Sequence, residues 1–411
     1  MKHLLIIGAG PNQMPAIEEA RRRGYRVSAT DMDPNAVGRP AVDHFLIAST
    51  RDVEATVRAA RTLHESEPLD GVMTMASESG FTVASVAKEL GLPGLNPEVA
   101  WKAMHKVLRQ EAFHAAHVPA PEYRKAITLE EAKAVASELG YPVVVKPVDS
   151  AGSRGVRKIN TPNELDSALA EIREVSKQPE LLIEEFLTGS EHSVEGVVID
   201  GMVHWTAFSD RNYDKKEIYP PYFLEDGDTM PTSLNEEIRQ QVLEVSTRAV
   251  HALGADWGPV KGDILVAEDG PRVIEMATRL SGDYFCYVTT PLHNGINLLN
   301  VVMDLSLGLP VDAESLHPQF EKGVALRYLW PKPGVVRSIE GLEQARGMEG
   351  IHFVRWEPRW SQIAPGARIE AARSMGERVG SVMAVGEDRS QAIARAEAAV
   401  RQIRIVTESA S

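Results

Sequence analysis

Two carboxylates in the middle of the chain have the spacing of a metal site. Asp263 and Glu275 lie in KGDILVAEDGPRVIEMATR (261–279), each six residues from Asp269. Apolar runs flank the turn 268–270, so the segment predicts a β-hairpin. With a three-residue loop the carboxylates become a cross-strand pair, with Cβ atoms roughly 4.5–5.5 Å apart. Like charges in this position favour cations between them, such as two Mg²⁺ ions sharing a phosphate; otherwise they are solvated acids on an outer strand.

A glycine-rich loop follows a strand that carries a lysine. YPVVVKP (141–147) predicts a buried strand with Lys146 near its end. The small residues that follow allow close approach of a phosphate to the backbone, and successive N–H groups form an anion-binding nest. No GK[ST] sequence occurs, which excludes a P-loop. The pattern indicates either a phosphate-binding loop or a flexible hairpin tip, and its candidate residues are Ser150, Gly152, Ser153 and Gly155.

A third cluster combines acidic residues with a strand end. LLIEEFLTGSEHSVEGVV (181–198) contains Glu184, Glu185 and Glu191 around an apolar Phe-Leu pair. A carboxylate such as Glu191 can accept hydrogen bonds from both hydroxyls of a ribose, and a backbone hinge nearby can bind the edge of an adenine ring. Ordinary surface glutamates are the alternative interpretation.

The composition excludes several classes of protein. The chain has 411 residues, of which 43% are hydrophobic and 25% charged, as in globular proteins of several domains. The net charge of −14 argues against nucleic-acid binding, which requires a basic surface. A single cysteine, Cys286, excludes an internal disulfide and a cysteine-based zinc site, and we expect it to serve packing.

Other patterns narrow the chemistry and the location. The histidines show no metal-ligand spacing, and no Ser–His–Asp or Cys–His set is apparent. The first apolar run is too short for a signal peptide, and no stretch of about 18 apolar residues could span a membrane. We therefore expect a cytoplasmic protein without membrane partners.

The order of predicted elements gives an α/β fold. Strands and helices alternate over residues 3–95 and predict a doubly wound, Rossmann-like parallel sheet. A Pro/Gly-rich boundary follows at 92–97, and helical, strand and strand-rich segments come after it. The predicted domains are 1–97, 98–318 with a lid subdomain at about 120–185, and a small strand-rich domain at 319–411.

Together these motifs resemble the ATP-grasp superfamily over roughly residues 1–310. The resemblance is carried by Lys106, Lys146 with its glycine loop, the EEFLTGSE segment and the carboxylate hairpin, in that order. The EEFLTGSEHSV stretch is similar to the nucleotide hinge of D-alanine–D-alanine ligases. The family implies a central fold of two α+β subdomains that bind ATP and Mg²⁺, with Mn²⁺ as a substitute.

The resemblance also implies a role for each matching residue. Lys106, Lys146 and the loop 150–155 would hold the phosphates, and Asp263 and Glu275 the metal. Arg279 would stabilise charge on the transferred phosphoryl group. The nucleotide would otherwise be held by the hinge and its neighbours, namely Glu184, Glu185, Phe186, Leu187 and, at the ribose, Glu191.

One position departs from the family pattern Glu-x-Asn-x-Arg. This chain has Glu275-Met276-Ala277-Thr278-Arg279, so Ala277 offers no oxygen to a second metal ion. Either Glu275 bridges both ions with water completing the site, or the second ion is bound more weakly. The retained Arg279 argues against a dead site.

The N-terminal GAGPNQ (8–13) is half of a dinucleotide fingerprint. Gln13 stands where the third glycine belongs, although Asp31 could bind a ribose, so NAD binding is an alternative. In ATP-grasp proteins such a domain instead shapes the acceptor pocket. The candidate substrate residues are Glu78 and Ser79 after the fourth strand, Arg211 and Tyr222 in a predicted specificity loop (209–233), and Ser281 and Gly282.

The resemblance implies an ADP-forming ligase that joins a carboxylate to an amine through an acyl phosphate. The segment 319–411 is similar to the closing domain of the amino-acid ligase and purine-type branches. Small-molecule carboxylate and amine substrates are expected, and relatives are often homodimers. The alternatives are a purine-pathway enzyme that activates bicarbonate or formate on a ribonucleotide, and a catalytically degenerate ATP-binding protein.

Overall fold

The computed structural model describes residues 1–213 and 220–408. The strands are β1 (His3–Ile7), β2 (Arg26–Asp31), β3 (His44–Ile47), β4 (Gly71–Met73), β5 (Tyr123–Ala126), β6 (Val143–Pro147), β7 (Arg157–Ile159), β8 (Leu181–Glu185), β9 (Ser190–Ile199), β10 (Met202–Asn212), β11 (Gly227–Met230), β12 (Gly258–Ala267), β13 (Gly270–Ala277), β14 (Gly323–Leu329), β15 (Gly334–Glu340), β16 (Ile351–Trp356), β17 (Arg368–Ile369), β18 (Gly380–Gly386) and β19 (Arg404–Glu408). The helices are α1 (Met14–Arg22), α2 (Val53–Ser66), α3 (Gly80–Leu90), α4 (Pro97–Met104), α5 (Lys106–Ala115), α6 (Leu129–Leu139), α7 (Leu165–Val175), α8 (Glu236–Leu253), α9 (Thr290–Asn294), α10 (Leu298–Ser306), α11 (Leu342–Arg346) and α12 (Arg389–Gln402). Within these described ranges, no helix is long and apolar enough to cross a membrane.

The N-terminal segment forms the predicted parallel sheet. Its strand order is β3-β2-β1-β4, and each neighbouring pair is parallel. All five residues of β1 are buried, as expected for a central strand covered by helices on both faces. The carboxyl end of β4 is tied to the rest of the chain, because Met75 forms a parallel bridge with Leu280.

A separate antiparallel sheet carries the glycine-rich loop. Its order is β5-β8-β6-β7, and helices α6 and α7 pack on it around an apolar cluster that includes Val143, Val145 and Ile183. The loop 150–155 connects β6 with β7. This α+β unit corresponds to the predicted lid subdomain.

The largest sheet joins the middle of the chain to the C-terminal segment. Its order is β13-β12-β9-β10-β11-β14-β18-β16, so strands from 319–411 extend it directly. The remaining C-terminal strands form a small sheet in the order β17-β15-β19. The predicted α/β fold class and the strand-rich C-terminal segment are confirmed, while the boundaries at 97 and 318 stay predictions.

The hairpin β12–β13 has the predicted pairing but not the predicted loop. Asp263 is the direct cross-strand partner of Glu275. The turn, however, contains only Glu268 and Asp269, since Ala267 already pairs with Gly270. A β-bulge inserts one extra residue, Ile274, between the turn and the carboxylates and restores their alignment.

Two further expectations need correction. Residues 98–118, whose sequence predicts one helical stretch, form two helices, because His105 has extended backbone angles between α4 and α5. The predicted loop 209–233 is partly sheet, since β10 continues to Asn212 and β11 begins at Gly227. Lys215, Lys216 and Tyr219, which the sequence also places in this loop, lie outside the described residues.

The core beneath the carboxylate hairpin depends on helix α5. Phe113 is fully buried and packs with Val194, Val260 and Met276 of the large sheet, together with helix α8. The same helix carries Lys106 and Arg109, which face the carboxylates. Packing of one aromatic ring therefore positions two cations of the site.

We expect Phe113→Ala to lower the free energy of unfolding by about 3–5 kcal/mol, because it leaves a cavity in this core. Denaturant-induced unfolding followed by circular dichroism measures the change. Phe320→Ala is the matched control, since that ring is 44% exposed and its loss should cost no more than about 0.5 kcal/mol. Equal effects of the two substitutions would contradict the assignment of Phe113 to the core.

Candidate functional site

The carboxylates of β12 and β13 are surrounded by cationic groups. Asp263 Oδ1 accepts a hydrogen bond from Ser193 Oγ at 2.8 Å and from the Lys261 ammonium, and lies 3.2 Å from Arg211 Nη1. Burial acts to raise the pKa of Asp263, but Arg211 and Lys261 outweigh it and hold this pKa below its usual range. The carboxylate is therefore ionised in the folded protein.

Glu275 is also ionised, and the main charge that favours its ionised form comes from helix α5. Its Oε1 lies 3.6 Å from Arg109 Nη1, a guanidinium on α5 that is almost fully buried. Burial acts to raise the pKa of Glu275, and Arg109, together with Lys261 and Lys106, lowers it below its usual range. Two adjacent ionised carboxylates result, which is the arrangement that a divalent cation prefers.

Lys106 connects this pair with the glycine-rich loop. It is the first residue of α5, and its ammonium donates a hydrogen bond to the backbone oxygen of Ser150. Burial, opposed by Glu275 but assisted by Arg109, lowers the pKa of Lys106 to about 8. The buried hydroxyl of Ser150 has no hydrogen-bond partner among the described residues. The Lys106 ammonium and the unbonded hydroxyl of Ser150 therefore both lie at the start of the loop.

The loop itself has the backbone conformation that its small residues permit. Gly152 and Gly155 have φ angles of +65° and +72°, and Ser153 has a φ of 58°. A side chain at Gly155 would also lie 2.9 Å from Val175. The left-handed conformation and the close approach together account for glycine at this position.

Lys146 and Glu184 form one buried ion pair. The ammonium of Lys146 on β6 bonds Glu184 Oε2, and Gln110 Nε2 donates to Glu184 Oε1 at 2.8 Å. Glu184 is only 2% exposed. It is therefore a partner of the predicted phosphate-binding lysine rather than an open ligand for the nucleotide.

The predicted hinge leaves one backbone amide open. Glu185 exchanges hydrogen bonds with the backbone of Glu122 at 2.9 Å, and Phe186 N donates to Pro142 O at 3.3 Å. In the part of the chain that the structure describes, Leu187 N has no such partner. The Lys158 ammonium lies 3.8 Å from the centre of the Phe186 ring.

Arg211 lies on β10 and not in a loop. Its guanidinium contacts Glu225 Oε2 at 3.1 Å and lies 3.8 Å from Glu191 Oε2, in addition to its contact with Asp263. Burial acts to lower the pKa of Arg211, and the neighbouring carboxylates raise it well above its usual value. Arg211 thus links Glu191, the predicted ribose ligand, to the carboxylate pair Asp263–Glu275.

Arg279 is brought against Glu78 from the N-terminal sheet. Its Nη2 and Nε lie 2.7 Å and 3.1 Å from Glu78 Oε1. Burial acts to lower the pKa of Arg279, but Glu78 raises it above its usual value. Ser79 precedes α3 and contacts Ser77 Oγ at 3.0 Å, without a capping bond to that helix.

Ser281 and Gly282 lie beside a buried carboxylate that the motifs do not indicate. Ser281 N donates to Glu195 Oε1 at 2.7 Å, and Glu195 is fully buried. Burial raises the pKa of Glu195 to about 7 despite this bond. Gly282 approaches Ala76 so closely that a side chain would lie 3.0 Å from its Cβ atom.

Tyr222 is directed to the lid and not to the carboxylates. Its hydroxyl donates to Glu171 Oε2 at 2.9 Å, and Glu171 also lies 3.3 Å from Arg157 Nη1. Tyr222 therefore contacts α7, and its ring centre lies 5.9 Å from the Arg157 guanidinium on β7 of the lid. The roles of the other candidate residues stay predictions.

The donor set fits a magnesium ion bound together with a nucleotide. Residues 1–213 and 220–408 contain no cluster of three or more histidine, cysteine or acidic side chains that could hold a metal. Mg²⁺ bound with a nucleotide uses one or two carboxylates, because phosphates and water complete its shell. Asp263 and Glu275 supply that number, and both are ionised.

A hydrogen-bonded Ser–His–Asp series is present, although the sequence pattern gave no indication of it. Ser190 Oγ lies 2.7 Å from His192 Nε2, and His192 Nδ1 lies 2.9 Å from Asp210 Oδ1. His192 alternates with Ser193 along β9, so the series faces away from Asp263. Asp210 also binds Ser233 Oγ at 2.7 Å and Arg389 Nη2 at 2.8 Å. The series therefore ties α12 to the large sheet.

Two cations of the site are missing from the sequence prediction. Arg109 is three residues after Lys106 on one helix face, and Lys261 is two residues before Asp263 on one strand face. Both spacings place the side chains together once helix and strand are assigned. These periodicities are the signal that could have identified them.

Comparison with known families finds three matching regions. Residues 17–94 match the model for the ATP-grasp N-terminal domain, and residues 139–287 match that for the ATP-grasp domain. Residues 327–408 match the model for the L-amino acid ligase C-terminal domain 2. The three regions cover most of the N-terminal sheet, the lid with the carboxylate hairpin, and the C-terminal segment.

Similar proteins include characterised ligases. The chain is 28% identical to the uncharacterised protein y4rH of Sinorhizobium fredii, over 97% of this chain and 82% of that protein. It is 25% identical to carnosine synthase 1 of Gallus gallus, covering 95% of this chain but 45% of that protein. The crystal structure of an L-amino acid ligase from Bacillus licheniformis matches with a TM-score of 0.82 and 25% identity, over 100% of this chain and 99% of that one.

We expect Glu275→Gln to lower the pKa of Lys106 further below about 8, because it removes the carboxylate that favours the charged ammonium. Nuclear magnetic resonance of lysines labelled at Cε, titrated without nucleotide, measures the shift, and Lys106→Arg assigns the signal. Glu174→Gln on the exposed face of α7 is the control and should leave the titration unchanged. A rise of the Lys106 pKa in Glu275→Gln would contradict the proximity of the two groups.

Proposed function

This chain belongs to the ATP-grasp superfamily of ADP-forming ligases, and we propose that it joins the carboxylate of one small molecule to the amine of another, with amino acids or short peptides as the substrate class. The observation that carries the proposal is the ionised pair Asp263 and Glu275, surrounded by cations from helix α5 and from the large sheet. Such a pair is suited to a metal-bound polyphosphate.

On the nucleotide side, each group has a role that fits its contacts. Leu187 N would donate to an adenine edge, and Glu191, 3.8 Å from Arg211, would bind the ribose. Lys106, Lys146 and the Ser150 hydroxyl would hold the phosphates, and Asp263 and Glu275 would hold Mg²⁺, with Mn²⁺ as a substitute. The bound metal would supply charge screening between the carboxylates and the phosphate oxygens.

The protein's own residues bind, orient and neutralise. Arg279 lies at the junction of the large sheet with the N-terminal sheet, where the acceptor carboxylate would meet the terminal phosphate. Its guanidinium stabilises negative charge on the phosphoryl oxygens and on the acyl phosphate that follows. The amine then attacks the acyl carbon and phosphate leaves. No covalent enzyme intermediate is required, since positioning and electrostatics suffice.

The substrate class rests on the C-terminal match and on the similar proteins. The matching C-terminal model is that of L-amino acid ligases, and both the Bacillus licheniformis enzyme and carnosine synthase are named as ligases or synthases of amino-acid compounds. The chain spans less than half of carnosine synthase, so the comparison supports the reaction class and not that product.

The purine-pathway alternative has weaker support. A phosphoribosylglycinamide synthetase from Anaerococcus prevotii matches at 19% identity with a TM-score of 0.73, which concerns the fold alone. In the N-terminal loop, Gln13 Oε1 accepts from Gly10 N at 3.2 Å, and Asp31 Oδ2 accepts from Ala9 N at 3.1 Å. These side chains use amides that a ribonucleotide phosphate, or the pyrophosphate of NAD, would otherwise bind.

We expect ADP and phosphate, and no AMP, to form only when a carboxylate and an amine are both present with Mg²⁺ and ATP. A screen of amino-acid pairs with coupled ADP detection and mass spectrometry of products measures this. The controls are an N-acetyl amino acid alone, which has no free amine, and an amino-acid amide alone, which has no free carboxylate. Tight ATP binding without product from any amino-acid pair or purine intermediate would refute the ligase assignment and favour a degenerate ATP-binding protein.

We expect Glu275→Gln to reduce turnover by about 100-fold or more while the protein still binds ATP, because one metal-binding charge is lost but the hinge and lysines remain. Steady-state kinetics and calorimetric nucleotide titration separate the two effects. Glu174→Gln is again the control and should retain both properties. Unchanged turnover in Glu275→Gln would exclude this carboxylate from the reaction.

A further inference from the structure

We propose that the ammonium group of Lys261 serves as the second cation of the carboxylate pair, so that the site takes one divalent metal ion with its nucleotide instead of two. The inference rests on the proposed function, because it concerns the cations that accompany a bound nucleotide. It assigns Lys261 a positioning role that the motifs leave unassigned.

The sheet register places Lys261 beside the pair. Lys261 and Asp263 are two residues apart on β12, so their side chains share one face of the sheet. The cross-strand partner of Lys261 is Ala277, which is two residues after Glu275 on β13. The cross-strand pair Lys261–Ala277 therefore forms the next row of side chains beside the pair Asp263–Glu275, on the same face of the sheet.

The contacts of Lys261 fix its ammonium at this position. Its Nζ donates to Asp263 Oδ1, and the side chain is only 16% exposed. On the other neighbouring strand, its partner is Glu195 of β9, which is fully buried. Glu195 Oε2 has no hydrogen-bond partner among the described residues. Glu195 is therefore the neighbour of Lys261 on the second side, while the ammonium itself bonds Asp263.

Beside Lys261 and Ala277, a second divalent ion would lack an oxygen ligand and would be repelled by cations that already contact Asp263. Ala277 supplies a methyl group where an oxygen is needed. The ammonium and the Arg211 guanidinium already lie against Asp263 Oδ1, the latter at 3.2 Å. Glu275 is the more open carboxylate, with 32% of its side chain exposed against 15% for Asp263. One metal ion at the Glu275 side is what the donors allow.

The number of bound metal ions tests the inference. Mn²⁺ titrations in the presence of saturating AMP-PNP, followed by electron paramagnetic resonance, count ions per protein, and calorimetry confirms that the nucleotide is bound. We expect one Mn²⁺ for wild type and for Ala277→Asn, and two for the double variant Lys261→Met/Ala277→Asn. The control Lys102→Met removes a partly buried lysine that bonds Leu253 O, and should bind one.

Each outcome decides the question. Two Mn²⁺ ions in wild type, or one in a double variant that still binds AMP-PNP, would overturn the role of Lys261. Where the double variant does not fold, Lys261→Gln/Ala277→Asn replaces it in the same Mn²⁺ titration. It should bind two Mn²⁺ ions, and one ion with AMP-PNP bound would reject the proposal. Failure of wild type to bind AMP-PNP would instead refute the proposed function.

Discussion

The direct opposition of two carboxylates on adjacent strands is the constraint on which the site depends. Like charges in this position destabilise a sheet, and burial raises the cost further. The chain offsets it with cations from separate elements: Lys261 on β12, Arg211 on β10, and Lys106 and Arg109 on α5. Lys106 also donates a hydrogen bond to Ser150 O, so one of these cations connects the carboxylate pair with the glycine-rich loop.

The N-terminal sheet is coupled to this centre by a short and specific contact. The Met75–Leu280 bridge continues the edge of β4 onto the chain that leaves β13, and Ala76 N donates to Leu280 O at 3.0 Å. This alignment brings Glu78 to Arg279. A buried guanidinium without a carboxylate would be costly, so the ion pair stabilises the junction. The proposed acceptor site therefore lies at a contact that the fold itself requires.

Local periodicity made much of this structure predictable. Strand alternation and the acidic turn were sufficient to predict the Asp263–Glu275 pair. The turn is one residue shorter than predicted and the bulge at Ile274 adds one residue, so the predicted register is kept, but no local pattern indicates either feature. Long-range pairing was not predictable. The ion pair of Lys146 with Glu184 arises because β6 and β8 are neighbours, and the extension of the large sheet by β14 requires contacts across about a hundred residues. Arg211 lies in a polar stretch of sequence without alternating apolar residues, so the sequence did not indicate that it belongs to a strand.

The ion pairing of the lysines and arginines around the carboxylate pair indicates which kind of ligand would bind there. Lys106 has a pKa lowered to about 8 because it is buried and lies near Arg109 and Lys146, so its charge is only partly compensated. Lys146 forms an ion pair with Glu184, and Arg211 with Glu225, whereas Lys106 bonds a backbone oxygen and its charged form is favoured by the fields of Glu275 and Glu78. A polyanion that enters between α5 and the lid loop would satisfy this ammonium and the unpartnered Ser150 hydroxyl at once. The electrostatic deficit therefore lies at the position where triphosphate oxygens would meet a metal ion bound by the two carboxylates.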